Sequence, residues 1–235
     1  MSTPNTVKTQ LQNLIDISNR VTGRSDTDLT GVVNHLTNER DSLLDGSVTE
    51  IYSEVTELGS TALANNPNLI TVTLPNAIKL GYQAISHASS LKNLHIPKVK
   101  YIDNYCFYNT TGLEHIDAPS SLDIASRAFD GCTALKYVNL HKTKYIGTNA
   151  FYNCSALKTL VVIIQIDLAS TNVFTGTPIE SGTGYIYIPR NLIESYKTAT
   201  NWTAFASQFR VLEDYTVDGT VDGELDWDKV NGGTA

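Results

Sequence analysis

Between residues 58 and 188 one apolar pattern returns every 22 residues, and that register limits the fold more than any other property of the chain. Leu58, Leu80, Ile102, Ile124, Ile146 and Leu168 stand 22 apart. After each comes a small residue followed by a large apolar one: Ala62-Leu63, Ala84-Ile85, Cys106-Phe107, Ala128-Phe129 and Ala150-Phe151, with Val173-Phe174 one position late. Leu69, Leu91, Leu113, Leu135, Leu157 and Ile179 form a further column. Each unit closes on an alternating apolar pair: Val72/Leu74, Leu94/Ile96, Ile116/Ala118, Val138/Leu140, Leu160/Val162 and Ile186/Ile188. One unit holds too few large apolar side chains to offset the entropy of ordering its own backbone, so units fold only by stacking. A period of this length therefore predicts a solenoid with one coil per unit. The alternating pairs predict a short, half-buried strand in each coil. The small-then-Phe segment predicts a tight irregular or short helical run, its Phe filling the layer between the two sides.

The pattern I-x-x-x-A-F-x-x-C-x-x-L-x-x-V-x-L is carried by IASRAFDGCTALKYVNL at Ile124 to Leu140 and, ending on Val162, by IGTNAFYNCSALKTLVV from Ile146. It resembles the BspA-type leucine-rich repeat, over about residues 55–190. The segment YIYIPRNLIESYKTATNWTAFASQF, Tyr185 to Phe209, resembles the terminal cap of such arrays. The resemblance implies a leucine-rich-repeat solenoid with a C-terminal helical cap, serving adhesion and recognition at bacterial, viral or parasite surfaces and not catalysis. The expected organisation is a helical anchoring or oligomerisation segment at 1–44, a solenoid of about six repeats at 45–190, a cap at 191–212 and an acidic tail at 213–235.

In the first segment Val7, Leu11, Leu14 and Val21 fall on one helical face, with Ser18 in the remaining seam position. This short heptad seam suits a small parallel bundle between protomers, and it equally suits packing on a second helix of the same chain. That second helix is predicted to start at the capping box Ser25-Asp26-Thr27-Asp28, ahead of Leu29, Val32, Val33 and Leu36. Leu11 to Leu36 is similar to the amphipathic leader of phage virion structural proteins, through Thr22, Gly23, Asp26, Leu29, Thr30, Val33 and Leu36. The likeness implies anchoring in a particle through other virion proteins; the Val7/Leu11/Leu14/Val21 seam, if it joins protomers, makes the protein a homo-oligomer, a trimer if it forms a fibre.

A net charge of −7 argues against a nucleic-acid binder of the basic-patch kind. No apolar run is long enough to span a bilayer, so membrane insertion is not expected. Met1 to Gln12 carries neither a basic nor an apolar leader region, so a chain starting there is not expected to be Sec-exported. A virion location, after synthesis in the bacterial cytoplasm, fits that expectation; a bacterial cell surface is the alternative. Cys106, Cys132 and Cys154 lie in repeat columns and read as buried free thiols, with no zinc spacing. Neither the five histidines nor any glycine-rich or nucleophile motif forms a catalytic or metal constellation, and no cofactor is expected. Asp222, Glu224, Asp226 and Asp228 alternate as in calcium loops, but Trp227 stands where an EF-hand needs glycine.

Two polar patterns mark where a partner would bind. Columns flanking the predicted strands, Thr71, Asn93, His115, Tyr137, Thr159 and Thr73, His95, Asp117, Asn139, Val161, make a weakly charged face, either a binding surface or a solvated one. The near copies KVKYIDNYCFYN and KTKYIGTNAFYN, 44 residues apart, repeat Lys98, Lys100, Tyr101 and Tyr108 as Lys142, Lys144, Tyr145 and Tyr152. Two coils, about 10 Å, should separate the copies. Tyrosines beside lysines suit an anionic glycan or an acidic protein surface, and duplication within the array accounts for the same pattern without function. The candidate ligand residues are therefore Lys98, Lys100, Tyr101, Tyr108, Lys142, Lys144, Tyr145 and Tyr152, with His95, His115 and Tyr137. The expected role is host-surface binding of glycan or protein by a virion protein. A purely structural virion decoration and a bacterial cell-surface adhesin are the other readings.

Overall fold

The computed structural model describes residues 49–117, 123–140 and 142–214. The chain divides into two units between Ser47 and Val48. The first unit, with the Val7/Leu11/Leu14/Val21 seam and the leader, lies outside the described residues, as does the tail from residue 215.

Each coil contributes one longer and one two-residue strand. In chain order they are β1 Glu50–Tyr52 and β2 Glu57–Leu58, β3 Thr71–Thr73 and β4 Lys79–Leu80, β5 Asn93–His95 and β6 Tyr101–Ile102, then β7 His115–Asp117 and β8 Asp123–Ile124. There follow β9 Tyr137–Leu140 and β10 Tyr145–Ile146, β11 Thr159–Val162 and β12 Asp167–Leu168, then β13 Tyr185–Ile188 and β14 Phe209–Val211. All pairings are parallel, because each coil returns the chain to the same edge in the same direction. The two-residue strands make one six-stranded sheet, β2 to β12. The longer strands make two sheets, β1-β3-β5 and β7-β9-β11-β13-β14, so the ladder on that side is interrupted between β5 and β7. The pairing Leu80↔Ile102 and Ile102↔Ile124 is the 22-residue register seen in the sequence, now as backbone pairing.

The predicted irregular or short helical run is a chain of tight turns. It is hydrogen-bonded from coil to coil, as in Leu63 N to Ala84 O at 2.8 Å and Phe107 N to Ala128 O at 2.7 Å. Two columns of the run take the left-handed backbone conformation. Thr61, Gln83, Tyr105, Arg127 and Asn149 have φ between 51° and 58°, and Asn65, His87, Asn109 and Asn153 repeat it four residues on. Gly131 completes the second column at φ +75°, and a Cβ there would collide with Asn109 Oδ1. The two left-handed residues reverse the chain within a few positions, which brings the small residue against the next coil and turns the Phe inward. Phe107, Phe129, Phe151 and Phe174 consequently stack with centroid spacings of 5.0, 5.3 and 5.9 Å and near-parallel planes.

The three cysteines are free and buried. Cys132 Sγ donates to Phe107 O at 3.1 Å and Cys154 Sγ to Phe129 O at 3.0 Å. Loss of hydration pushes the Cys106 and Cys154 thiols up, so they pack as small apolar groups and not as nucleophiles.

Residues 191–212 hold a short helix, α1 Ile193–Thr198, a 3-10 segment Thr203–Gln208 and the whole of β14, which pairs with β13. The edge strand was not foreseen, since a helical pattern covered its sequence. Beyond β12 there is no further two-residue strand among the described residues, and side chains take the place of its N–H groups. Tyr196 Oη donates to Ile164 O at 2.6 Å, Trp202 Nε1 to Ile166 O at 2.6 Å, and Asn201 Nδ2 to Leu168 O at 2.8 Å. Trp202 and Phe205 also close the aromatic stack, 6.3 and 5.2 Å from Phe174.

Candidate functional site

The short-strand sheet places one outward residue per coil in a row. Its register sets Lys79 beside Tyr101, Tyr101 beside Asp123, Asp123 beside Tyr145 and Tyr145 beside Asp167. The two tyrosines that recur in the near-copy repeats therefore flank the one intervening coil, whose residue here is the smaller Asp123. The difference in length leaves a shallow slot of about 520 Å³, with Tyr101 and Tyr145 as walls and Asn104, Asp123 and Ser126 between them. Tyr145 is 42% exposed, and Lys79 Nζ lies 5.7 Å from the Tyr101 ring centre. Burial, then Asp103 and Asp123, raise the Tyr101 phenol above its ordinary value, so it is a neutral donor at physiological pH. Two aromatic walls, a carboxylate and an amide can hold a ring bearing hydroxyl groups by stacking and hydrogen bonding.

The lysines fall into two sets. Lys98 Nζ donates to Asn76 Oδ1 at 2.6 Å, and Asn76 Nδ2 in turn donates to Glu54, so Lys98 belongs to a ladder between coils. Lys100, Lys142 and Lys144 are exposed and form no ion pair among the described residues; Lys100 and Lys144 stand next in sequence to the slot tyrosines.

His95 and His115 come together on the long-strand side, in a pocket of about 400 Å³ with Thr71, Thr73, Asn93 and Asp117, where the β5 to β7 ladder is interrupted. Loss of hydration lowers the His115 pKa, against the opposing pull of Glu114 at 4.0 Å. Tyr137 departs from the exposed face expected for it: it is 6% exposed, on a strand buried along its whole length, with its ring 6.5 Å from that of His115. Tyr108 and Tyr152 do not join the slot. They sit in the turn run, Tyr108 against His87 and Tyr105, and Tyr152 beside Arg127.

Arg127 and Asp130 form a pair that nothing in the repeat columns marks; the carboxylate residue Asp130 is the more buried of the two. It is 5% exposed and accepts from Arg127 Nη1 at 2.7 Å. Burial raises its carboxyl pKa and the Arg127 hydrogen bond opposes that rise, while Arg127 itself is raised by the same bond. Hydration lost by the carboxylate outweighs what the guanidinium returns. A raised folded-state value means that Asp130 favours folding below its unfolded pKa and loses that contribution as pH rises through the folded one.

No group of three His, Cys, Asp or Glu side chains among the described residues is arranged to hold a metal ion. No helix among them is long and apolar enough to cross a membrane.

The model of the BspA type leucine rich repeat region matches six copies, over residues 47–132 and 78–199. The chain belongs to this BspA-type leucine-rich repeat family. No curated protein matches it. Among solved structures it is similar to the T. pallidum leucine-rich repeat protein TpLRR, at 20% identity and TM-score 0.48 over 57% of this chain and 62% of that one. It is also similar to the pneumococcal vaccine antigen PcpA, at 18% identity and TM-score 0.48 over 69% and 39%. A leucine-rich repeat protein from Bacteroides ovatus matches at 20% identity and TM-score 0.44 over 60% and 42%. The chain thus spans less than two thirds of each of these proteins. The slot and the histidine pocket are features of how the BspA-type coils vary, not of the columns that define them.

Proposed function

We propose that the protein is a non-enzymatic recognition module whose BspA-type solenoid binds a glycan or protein on a bacterial surface. The observation that carries this reading is the Tyr101–Asp123–Tyr145 slot, in which residues outside every core column are placed together by the repeat register. Lys100, Lys142 and Lys144 would supply rim charge, and His95 and His115 a second contact area. Residues 191–212 act as the terminal cap that lets the array end in water.

The role of residues 1–44 rests on the leader resemblance: they anchor the module to other proteins of a phage virion and carry the contacts of a homo-oligomer. The structural-decoration and cell-surface-adhesin readings differ from this in where the protein is found and whether it touches cells. Mass spectrometry of purified particles and of host cell walls separates virion from cell surface. Labelled full-length protein should bind intact host cells, and the Tyr101→Ala/Tyr145→Ala double variant should bind about tenfold more weakly with an unchanged melting temperature. Undiminished binding by that variant would remove the slot from the proposal, and no binding by the parent would favour decoration.

If the Val7/Leu11/Leu14/Val21 seam joins protomers, light scattering at micromolar concentration should give an oligomer for the full chain and monomers after deletion of residues 1–44. An oligomer that survives the deletion would move the interface to the second unit.

A further inference from the structure

The turn side of the solenoid carries an aromatic strip that the slot does not use. Tyr82 and Tyr105 meet edge to face at 6.0 Å, Tyr105 and Tyr108 at 5.6 Å, and Tyr108 and His87 at 5.3 Å. Arg127 continues the series, its guanidinium 5.9 Å from the Tyr105 ring centre and 5.7 Å from that of Tyr152. The strip crosses four successive coils. Tyr82, at 43%, and His87 are exposed, and Tyr105, Tyr108, Arg127 and Tyr152 are partly exposed to water.

Three of its members hold left-handed positions. Tyr105, Arg127 and His87 occupy the two left-handed columns, at φ 58°, 57° and 59°. That region disfavours residues with a Cβ, bulky ones most, and is easiest for glycine and asparagine. The same columns do use the easier residues elsewhere: Asn65, Asn109, Gly131, Asn149 and Asn153. Histidine also tolerates the region, so it is for Tyr105 and Arg127 that local folding alone gives no reason, and such strain collects where side chains are needed for contact.

The chemistry of the strip names its ligand. Its one guanidinium is neutralised by Asp130 at 2.7 Å, so the surface has no net cation for an anionic partner. The exposed aliphatic side chains that a protein interface would use, Val55, Ile70 and Ile78, stand on the strand sides. What remains is tyrosine faces and phenol hydroxyls on the second, third and fifth coils, in a stack whose coil spacing of about 4.8 Å is close to the length of one pyranose unit in a chain.

We propose that this strip binds a neutral polysaccharide, its sugar rings laid along the solenoid axis on Tyr82, Tyr105, Tyr108 and Tyr152. The proposal rests on the reading of the solenoid as a recognition module and gives that module a ligand class. Asn104 and Ser126, which line the slot, precede Tyr105 and Arg127 in sequence, so slot and strip adjoin.

The test is calorimetric titration of the full chain with malto-, cello-, manno- and chito-hexasaccharides, and with a heparin hexasaccharide as the anionic comparison. At least one neutral hexasaccharide should bind and heparin should not. Tyr105→Asn should weaken that binding about tenfold while leaving the melting temperature equal or higher, because asparagine suits the left-handed position. Tyr152→Ala, outside the left-handed columns, should weaken it similarly. Preference for heparin, failure of all four neutral sugars, or binding unchanged in both variants would overturn the proposal. Cell binding lost in Tyr101→Ala/Tyr145→Ala but intact in both strip variants would keep the recognition reading and reject the strip. Cell binding untouched in every variant would reject the recognition reading itself.

Discussion

Replacing Phe129 by alanine should lower stability by about 3–5 kcal/mol, the range for a fully enclosed phenylalanine. Its ring is fully buried and stacks on Phe107 at 5.0 Å and Phe151 at 5.3 Å, so truncation opens a void bounded on both sides by rings that cannot collapse into it. The coil backbones are fixed by bonds such as Phe129 N to Ala150 O at 2.8 Å, which prevents neighbouring coils from closing the gap. In a chain of this size the loss corresponds to a fall in melting temperature on the order of 10 °C. Thermal melts followed by circular dichroism check it, with the exposed Thr148→Ala as a control expected to stay within about 0.5 kcal/mol. Because each coil touches only its neighbours, the damage should appear as early melting around the fourth coil before the ends. A variant that melts within a degree or two of the parent would mean that the Phe column is not the spine of the array.

The parts of this fold legible in the sequence are those that repeat. Leu80, Ile102, Ile124 and their copies announce the register, and the backbone pairs them as the spacing requires. Phe107, Phe129 and Phe151 announce the core layer. The second sheet was not legible, because a two-residue strand such as Lys79–Leu80 is too short for an alternation to show. The left-handed columns were hidden for a different reason: Gln83, Tyr105 and Arg127 share a backbone conformation and no side-chain chemistry.

The candidate site divides the same way. Tyr101 and Tyr145 were visible as duplicated residues, but that they form a slot depends on Asp123 being shorter, a property of the coil that is not duplicated. Tyr108 and Tyr152 came from the same duplication and lie on another side of the coil, since seven residues on from Tyr101 and Tyr145 the chain has already turned. The burial of Asp130 was not legible because its neighbour Phe129 points inward, and simple alternation would place Asp130 outside. In a run of reversed turns alternation does not hold, and the carboxylate folds back onto Arg127.

Trp202→Ala is expected to be at least as damaging as Phe129→Ala, by a separate route. Trp202 is fully buried between Tyr196, Phe174 and Phe209, at 4.8, 6.3 and 6.3 Å, and its removal costs about 3–5 kcal/mol in lost packing and cavity. The indole also satisfies Ile166 O, a carbonyl at the end of the short-strand sheet. Without it that buried acceptor is left unpaired, which adds about 1–3 kcal/mol. Trp202→Phe separates the two terms: it keeps most of the packing and loses the hydrogen bond, so it should fall between the parent and the alanine variant. Denaturant unfolding of the three proteins gives the values. Solubility gives a second readout, since an array whose last coil is uncovered presents unpaired strand edges to other molecules and should aggregate as it warms. If Trp202→Ala unfolds within about 1 kcal/mol of the parent and stays dispersed on warming, the array ends without the help of residues 191–212 and their capping role falls.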